Sequence, residues 1–208
     1  MKYLVLIADI AASRKIINRR KIQDDLLRIL GKLNLNNGSI ISPYTITLGD
    51  EFQAVFSSAQ FIFHDVFRIL SELFPEKVRF SFGIGRISTE IIRESSIGMD
   101  GPAFHVARDG IEKLKKTSDR FSINGVTGKN ANLINQSLQI LSHESNKWKE
   151  SRLKTFNLYI QEQPVKKICE SINLTDKAIY KTINMGMLDI FKEQLLEIEK
   201  LISYELNL

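Results

Sequence analysis

The stretch Ile46-Thr47-Leu48-Gly49-Asp50-Glu51-Phe52-Gln53-Ala54-Val55-Phe56 decides how the chain folds. The β-branched and aromatic residues on either side favour extended structure. Gly49 and Asp50 are the only turn formers between them. The stretch therefore reads as two short strands joined by a tight turn, with the adjacent carboxylates of Asp50 and Glu51 at its tip. Working outward toward the N-terminus, Tyr3-Leu4-Val5-Leu6-Ile7-Ala8-Asp9 is apolar over nearly its whole length, the pattern of a strand buried on both faces, and it ends on a third acid. If the two strands are sheet neighbours, Asp9 and Asp50 meet at one rim. Carboxylates placed so, without a basic partner in local sequence, repel one another. A divalent cation with oxygen ligands, Mg²⁺ or Mn²⁺ held together with a phosphate, relieves that repulsion. The same residues also fit a solvated hairpin tip and a helix-capping aspartate, and their spacing leaves both readings open.

Between Asp9 and the first helix lie Ile10-Ala11-Ala12-Ser13-Arg14. Small residues let the backbone turn closely, free N–H groups between strand and helix form a phosphate seat, and Arg14 adds a bidentate donor. A polar connecting loop is the other reading. Ile22, Leu26, Leu27, Ile29, Leu30 and Leu33 mark the buried face of the first helix, and 34–42 reads as a loop. After the hairpin, a helix over 59–74 buries Phe63, Val66, Phe67, Leu70, Leu73 and Phe74. In a strand over 77–87, Val78, Phe80, Phe82 and Ile84 alternate with Arg79, Ser81 and Gly83, while Gly83 and Gly85 leave room for something to approach the sheet. A helix over about 103–116 and a short strand over 121–123 follow. The order βαββαβ, with an added helix and strand, is the split βαβ, ferredoxin-like arrangement. The expectation is an α+β domain over 1–127, with helices on one face of the sheet.

From Gly128 the period becomes helical, so 128–208 reads as an all-helical domain. Within it, 164–185 has helix-turn-helix form. Ile168 and Ile172 face inward on the first helix, with small Cys169 where the helices cross. Asn173 takes the left-handed turn position, Leu174 plugs the turn, and Thr175 caps the second helix. Ile179 and Ile183 bury that helix and leave Lys177, Tyr180, Lys181 and Asn184 outside, able to meet the phosphates and base edges of double-stranded DNA. A three-helix packing unit without nucleic acid is the alternative. The last helix carries Leu188, Phe191, Leu195, Ile198, Leu201 and Ile202, a stripe suited to packing on this module or on a second copy in a homodimer.

Composition bounds the function. The 208 residues are 43% hydrophobic and 25% charged, ordinary for a globular protein. No apolar run approaches the ~20 residues of a membrane span. The lone cysteine, Cys169, permits no internal disulfide, so a cytoplasmic setting is expected. The net charge of +5 suits an anionic partner. Residues 129–208 carry 11 basic against 10 acidic side chains, so the excess lies in residues 1–128, 18 against 14. The tail is therefore not a strongly basic clamp.

Four motifs carry a resemblance: Ala8-Asp9-Ile10 with Ser13; Leu48-Gly49-Asp50-Glu51-Phe52; Arg79-Phe80-Ser81-Phe82-Gly83-Ile84-Gly85; and Asp100-Gly101-Pro102-Ala103 leading to Ala107-Arg108. In this order, over roughly residues 2–124, they resemble the palm-type domains of class III nucleotide cyclases and GGDEF diguanylate cyclases. The whole chain, including the terminal helix-turn-helix, resembles the SatD family. The resemblance implies that Asp9, Asp50 and Glu51 hold Mg²⁺ against a nucleoside triphosphate or related anion, with the backbone of Ile10, Ala11, Ala12 and Ser13 cradling phosphate. It also marks a departure. Cyclases carry an Asn and an Arg four residues apart on the late helix; counting from Gly101, those positions are His105 and Asp109, with Arg108 one residue short. His105 and Arg108 are thus the catalytic candidates, and metal and triphosphate binding are better matched than cyclisation. The expected function is a regulator in which a nucleotide-binding palm biases a DNA-binding tail. The alternatives are an active nucleotidyl cyclase or nucleotidyltransferase, and a ligand-free scaffold.

Overall fold

The computed structural model describes residues 1–13, 18–36, 38–128 and 130–208. Among them the elements run β1 (Tyr3–Ile10), α1 (Arg19–Asn36), β2 (Ile40–Ile46), β3 (Glu51–Phe56), α2 (Ile62–Glu72), β4 (Val78–Gly85), α3 (Pro102–Leu114), β5 (Phe121–Asn124), α4 (Asn130–Ser145), α5 (Glu150–Ile160), α6 (Val165–Ile172), α7 (Asp176–Met185) and α8 (Leu188–Asn207). The five strands form one mixed sheet in the order β2-β3-β1-β4-β5. Central β1 pairs antiparallel with β3 and β4, β2 is antiparallel to β3, and β5 is parallel to β4. No helix among the described residues is long and apolar enough to cross a membrane.

The alternation in β1 accounts for its central place. Leu4, Leu6, Ala8 and Ile10 enter one apolar cluster with residues of α1 and α2. Val5 and Ile7 enter a second with Val55 and with Ala103, Ala107, Ile111 and Leu114 of α3. The expected sheet with helices on one face is therefore corrected: α3 covers the opposite face. The reason lies in β1 itself, since a strand apolar on both faces must be covered on both. The glycines of β4 make that cover possible. A Cβ at Gly83 would lie 2.8 Å from the Ala107 nitrogen, and one at Gly85 2.9 Å from the Ala103 nitrogen. What approaches the sheet at these glycines is the backbone of α3.

Element ends differ from the sequence reading where tertiary contacts compete with local preference. The turn of β2–β3 is a four-residue loop, 47–50, rather than a tight pair. The Thr47 amide bonds the Glu51 carbonyl at 2.8 Å, and Gly49 takes φ 62°. The side chain of Gln23 on α1 holds the tip, donating to the Gly49 carbonyl at 3.1 Å. α1 itself runs on to Asn36 and β2 begins at Ile40, inside the stretch expected as loop. Leu27 is 59% exposed. The series Leu26, Ile29, Leu30 and Leu33 already defines the helical face, and Leu27 lies off it.

The helical tail shares its core with the sheet. Ile134, Leu138 and Leu141 of α4, Phe156 of α5 and Phe191, Leu195, Ile198 and Ile202 of α8 belong to the same cluster as Leu4 and Leu6. Phe67 on α2 meets Phe156 edge-on, 4.5 Å between ring centres. The apolar stripe of α8 is thus occupied within the chain and is not left for a second copy. Two buried glutamates of α8 add polar ties. Glu205 accepts from the Thr127 hydroxyl at 3.0 Å. Glu199 accepts from the backbone N–H groups of Phe63 at 3.1 Å and Phe61 at 3.4 Å. It thereby caps α2 from outside, where Phe61 supplies no side-chain cap.

Candidate functional site

Register brings the three acids to one rim. Asp9 is the Cα partner of Glu51 on one side and of Arg79 on the other. The Ile10 amide bonds the Asp50 carbonyl at 3.0 Å, which ties the hairpin tip to the end of β1. Asp9, Asp50 and Glu51 line one open cavity of about 590 Å³ with Arg19, Leu48, Gly49 and Lys115.

The rim is a charge row rather than an acidic pocket. Arg79 Nη1 lies 3.2 Å from Asp9 Oδ2. Arg108 Nη1, from α3, lies 2.5 Å from Glu51 Oε2, and the Thr47 hydroxyl donates to Glu51 Oε1 at 3.1 Å. The Ser13 hydroxyl donates to Asp50 Oδ2. One acceptor is left over: Asp9 Oδ1 is buried and has no hydrogen-bond partner. Burial pushes the Asp9 carboxyl up from its ordinary value. The positive charges of Arg79 and Lys115 oppose that shift, and Asp50 adds to it.

These contacts decide which residues fit a cation. Asp9 offers a buried carboxylate oxygen without a hydrogen-bond partner, the donor type a hard cation takes. Glu51 has both oxygens engaged. Among the described residues, no three His, Cys, Asp or Glu side chains stand grouped for a metal. Asp9 and Asp50 are thus the two acids of the row whose donor chemistry fits a divalent cation, while Arg79 and Arg108 pair with Asp9 and Glu51.

The other expected site residues divide. The amides of Ile10 and Ala11 are engaged, the second with the Lys77 carbonyl at 2.7 Å, so a phosphate seat there would draw on Ala12 and Ser13. Arg14 lies outside the described residues. Arg108 joins the row through Glu51. His105 does not: its ring pairs with Asp100 at 2.8 Å, both exposed. α3 runs antiparallel to β4, so that Ala103 lies over Gly85 and Gly110 over Ser81. That direction places His105 toward the end of β4 away from Arg79. Arg79, Arg19 and Lys115 were not singled out as site residues in the sequence. Only Arg79 carried a signal, its alternation with Phe80 and Phe82.

In the tail, Asn173 ends α6 at φ 54°, ψ 50°, and the Thr175 hydroxyl accepts from the Ala178 amide at 3.3 Å. The Cys169 thiol meets Asp176 Oδ1 at 3.1 Å. Leu174 does not plug the turn, being 37% exposed; Ile168, Ile179, Ile183 and Leu188 fill the space between these helices. Lys177, Tyr180, Lys181 and Asn184 are all exposed on α7.

The architecture defines a mixed α/β protein: a five-stranded sheet covered on both faces, a charged rim and a helical tail. The chain belongs to the SatD family, whose model matches residues 3–202. Among solved structures, a bacterial light-regulated adenylyl cyclase is similar at 16% identity with a TM-score of 0.45, over 59% of this chain and 43% of that one. No curated protein matches the chain.

Proposed function

We propose that the rim cavity binds a nucleoside triphosphate, or a related phosphorylated anion, together with Mg²⁺, and that occupancy biases a DNA-reading tail. The observation that carries this reading is the buried, unpartnered Oδ1 of Asp9, a residue that lines one cavity with Asp50, Arg19 and Lys115. The strand order β2-β3-β1-β4, antiparallel throughout, supports a ferredoxin-like, palm-type sheet.

Asp9 and Asp50 would hold the cation, which when bound neutralises phosphate oxygens. Arg79 and Arg108 neutralise the acids in its absence, and on binding their guanidinium groups are placed to turn to the phosphates. Arg19 and Lys115 add positive charge on the solvent side. Binding without turnover is favoured, because His105 is committed to Asp100 away from the row. The continuous core between sheet and tail supplies a route by which the rim can bias α6 and α7, read as a helix-turn-helix.

Thermal shift with a panel of nucleoside triphosphates, each with and without Mn²⁺, tests the site. Cation-dependent stabilisation of the wild type, lost in Asp9→Ala and in Asp50→Ala, is the expected result. Absent or equal stabilisation in all three overturns it.

A further inference from the structure

A second, more enclosed cavity of about 270 Å³ lies where the start of β4 meets the turn between α3 and β5 and the end of α4. Lys77, Arg79, Thr117, Asp119, Arg120 and Asn146 are among its walls. Arg120 is the unusual member. Its backbone is fixed on both sides: its carbonyl accepts from the Phe80 amide at 2.7 Å, and its amide donates to the Ser142 hydroxyl at 3.1 Å. Its Nε donates to Asn146 Oδ1 at 2.7 Å. No carboxylate pairs with its guanidinium among the described residues. The one acid of the cavity, Asp119, instead accepts from Gln139 at 3.4 Å.

A partly buried guanidinium held by a neutral amide is costly unless something negative completes it. Burial alone pushes this one down to about 10. The cavity is smaller than the ~300 Å³ at which drug-sized ligand pockets begin, so it suits a small ion with a few waters. With Arg79 neutralised by Asp9, Lys77 and Arg120 still outnumber Asp119, so the cavity is net positive. We infer that this cavity is an oxyanion site that takes a phosphate group, with Arg120 and Lys77 as its donors and the tail residue Asn146 aligning Arg120. The inference needs neither Asp9 nor Asp50 and stands apart from the cation reading of the rim.

The test is titration of the full chain with inorganic phosphate in EDTA, read by thermal shift and calorimetry, so that failure of the cation-dependent rim leaves it untouched. Phosphate is expected to stabilise the wild type beyond chloride at equal ionic strength. Lys77→Ala and Arg120→Met should each weaken binding by about tenfold, the worth of one charge-assisted contact. Asn146→Asp places a carboxylate on Arg120 at the loss of the Asn146 Nδ2 bond to the Ser118 carbonyl at 2.8 Å. It should abolish phosphate binding in a chain that still folds, whereas Asn146→Ala, which loses both bonds and adds no charge, should only weaken it. If a nucleoside triphosphate displaces phosphate, the group is its terminal phosphate; if both bind together, the anion is free phosphate. Either result supports the site. No phosphate-specific shift, or wild-type affinity in Lys77→Ala and Asn146→Asp, overturns it.

Discussion

Asp9 and Arg79 stand opposite one another in the β1–β4 register and close an ion pair at 3.2 Å, which leaves the second Asp9 oxygen buried and unpartnered. Removing Arg79 therefore strands a buried carboxylate, whereas removing the Asp9 charge does not. Arg79→Ala should lower stability to urea by about 2–4 kcal/mol. The double variant Asp9→Asn with Arg79→Ala should be more stable than Arg79→Ala alone. Arg79→Ala should also regain stability as pH falls, because protonation removes the stranded charge. A Mg²⁺ or Mn²⁺ titration of the same variant should show tighter cation binding than the wild type.

Glu199 provides a pH dependence whose sign is fixed. Burial pushes its carboxyl up to about 7 despite the Phe61 and Phe63 amides that favour the charged form; Asp65 adds to the rise. A folded-state value above the unfolded one means the native protein binds the extra proton. The contribution is complete below the unfolded value and is lost as pH rises toward about 7. Denaturation at pH 5 and pH 8 should show the wild type losing up to about 3 kcal/mol more than Glu199→Gln over that interval.

Two glycines predict opposite outcomes for the same substitution. Gly83→Ala would push a methyl group into the backbone of α3 at Ala103 and Ala107. It should destabilise by about 3 kcal/mol or yield insoluble protein. Gly31→Ala, within α1 with nothing inside 4 Å of the added carbon, should stabilise by about 1 kcal/mol through helix propensity. Thermal melts of both variants decide this.

In the tail, Lys177 and Lys181 are one turn apart and exposed on α7. Replacing both by Ala should leave the melting temperature unchanged. It should weaken binding to a fragment of the protein's own promoter and reduce the slope of affinity against salt by about 2. An unchanged slope in a gel-shift series would assign α7 to packing alone.

Local signals determined much of this chain. The apolar run of β1, the alternation of β4, the left-handed Asn173 and the Thr175 cap are all carried by neighbours in sequence, because strand and helix periods and cap chemistry act over a few residues. The expectation that Asp9 and Asp50 meet at one rim followed from one assumption, that β1 and β3 are neighbours; the sheet has them so, with Glu51 as the residue opposite Asp9. Only the tertiary structure decided the rest. That the acid row is closed by Arg79 and Arg108 depends on strand register and on the direction of α3 across β4. The covering of both sheet faces depends on two glycines matching a helix some 20 positions later. The capping of α2 by Glu199 joins residues 136 positions apart. Spacing along a chain specifies which face a side chain takes; which partner meets it there is set by register and packing over the whole fold.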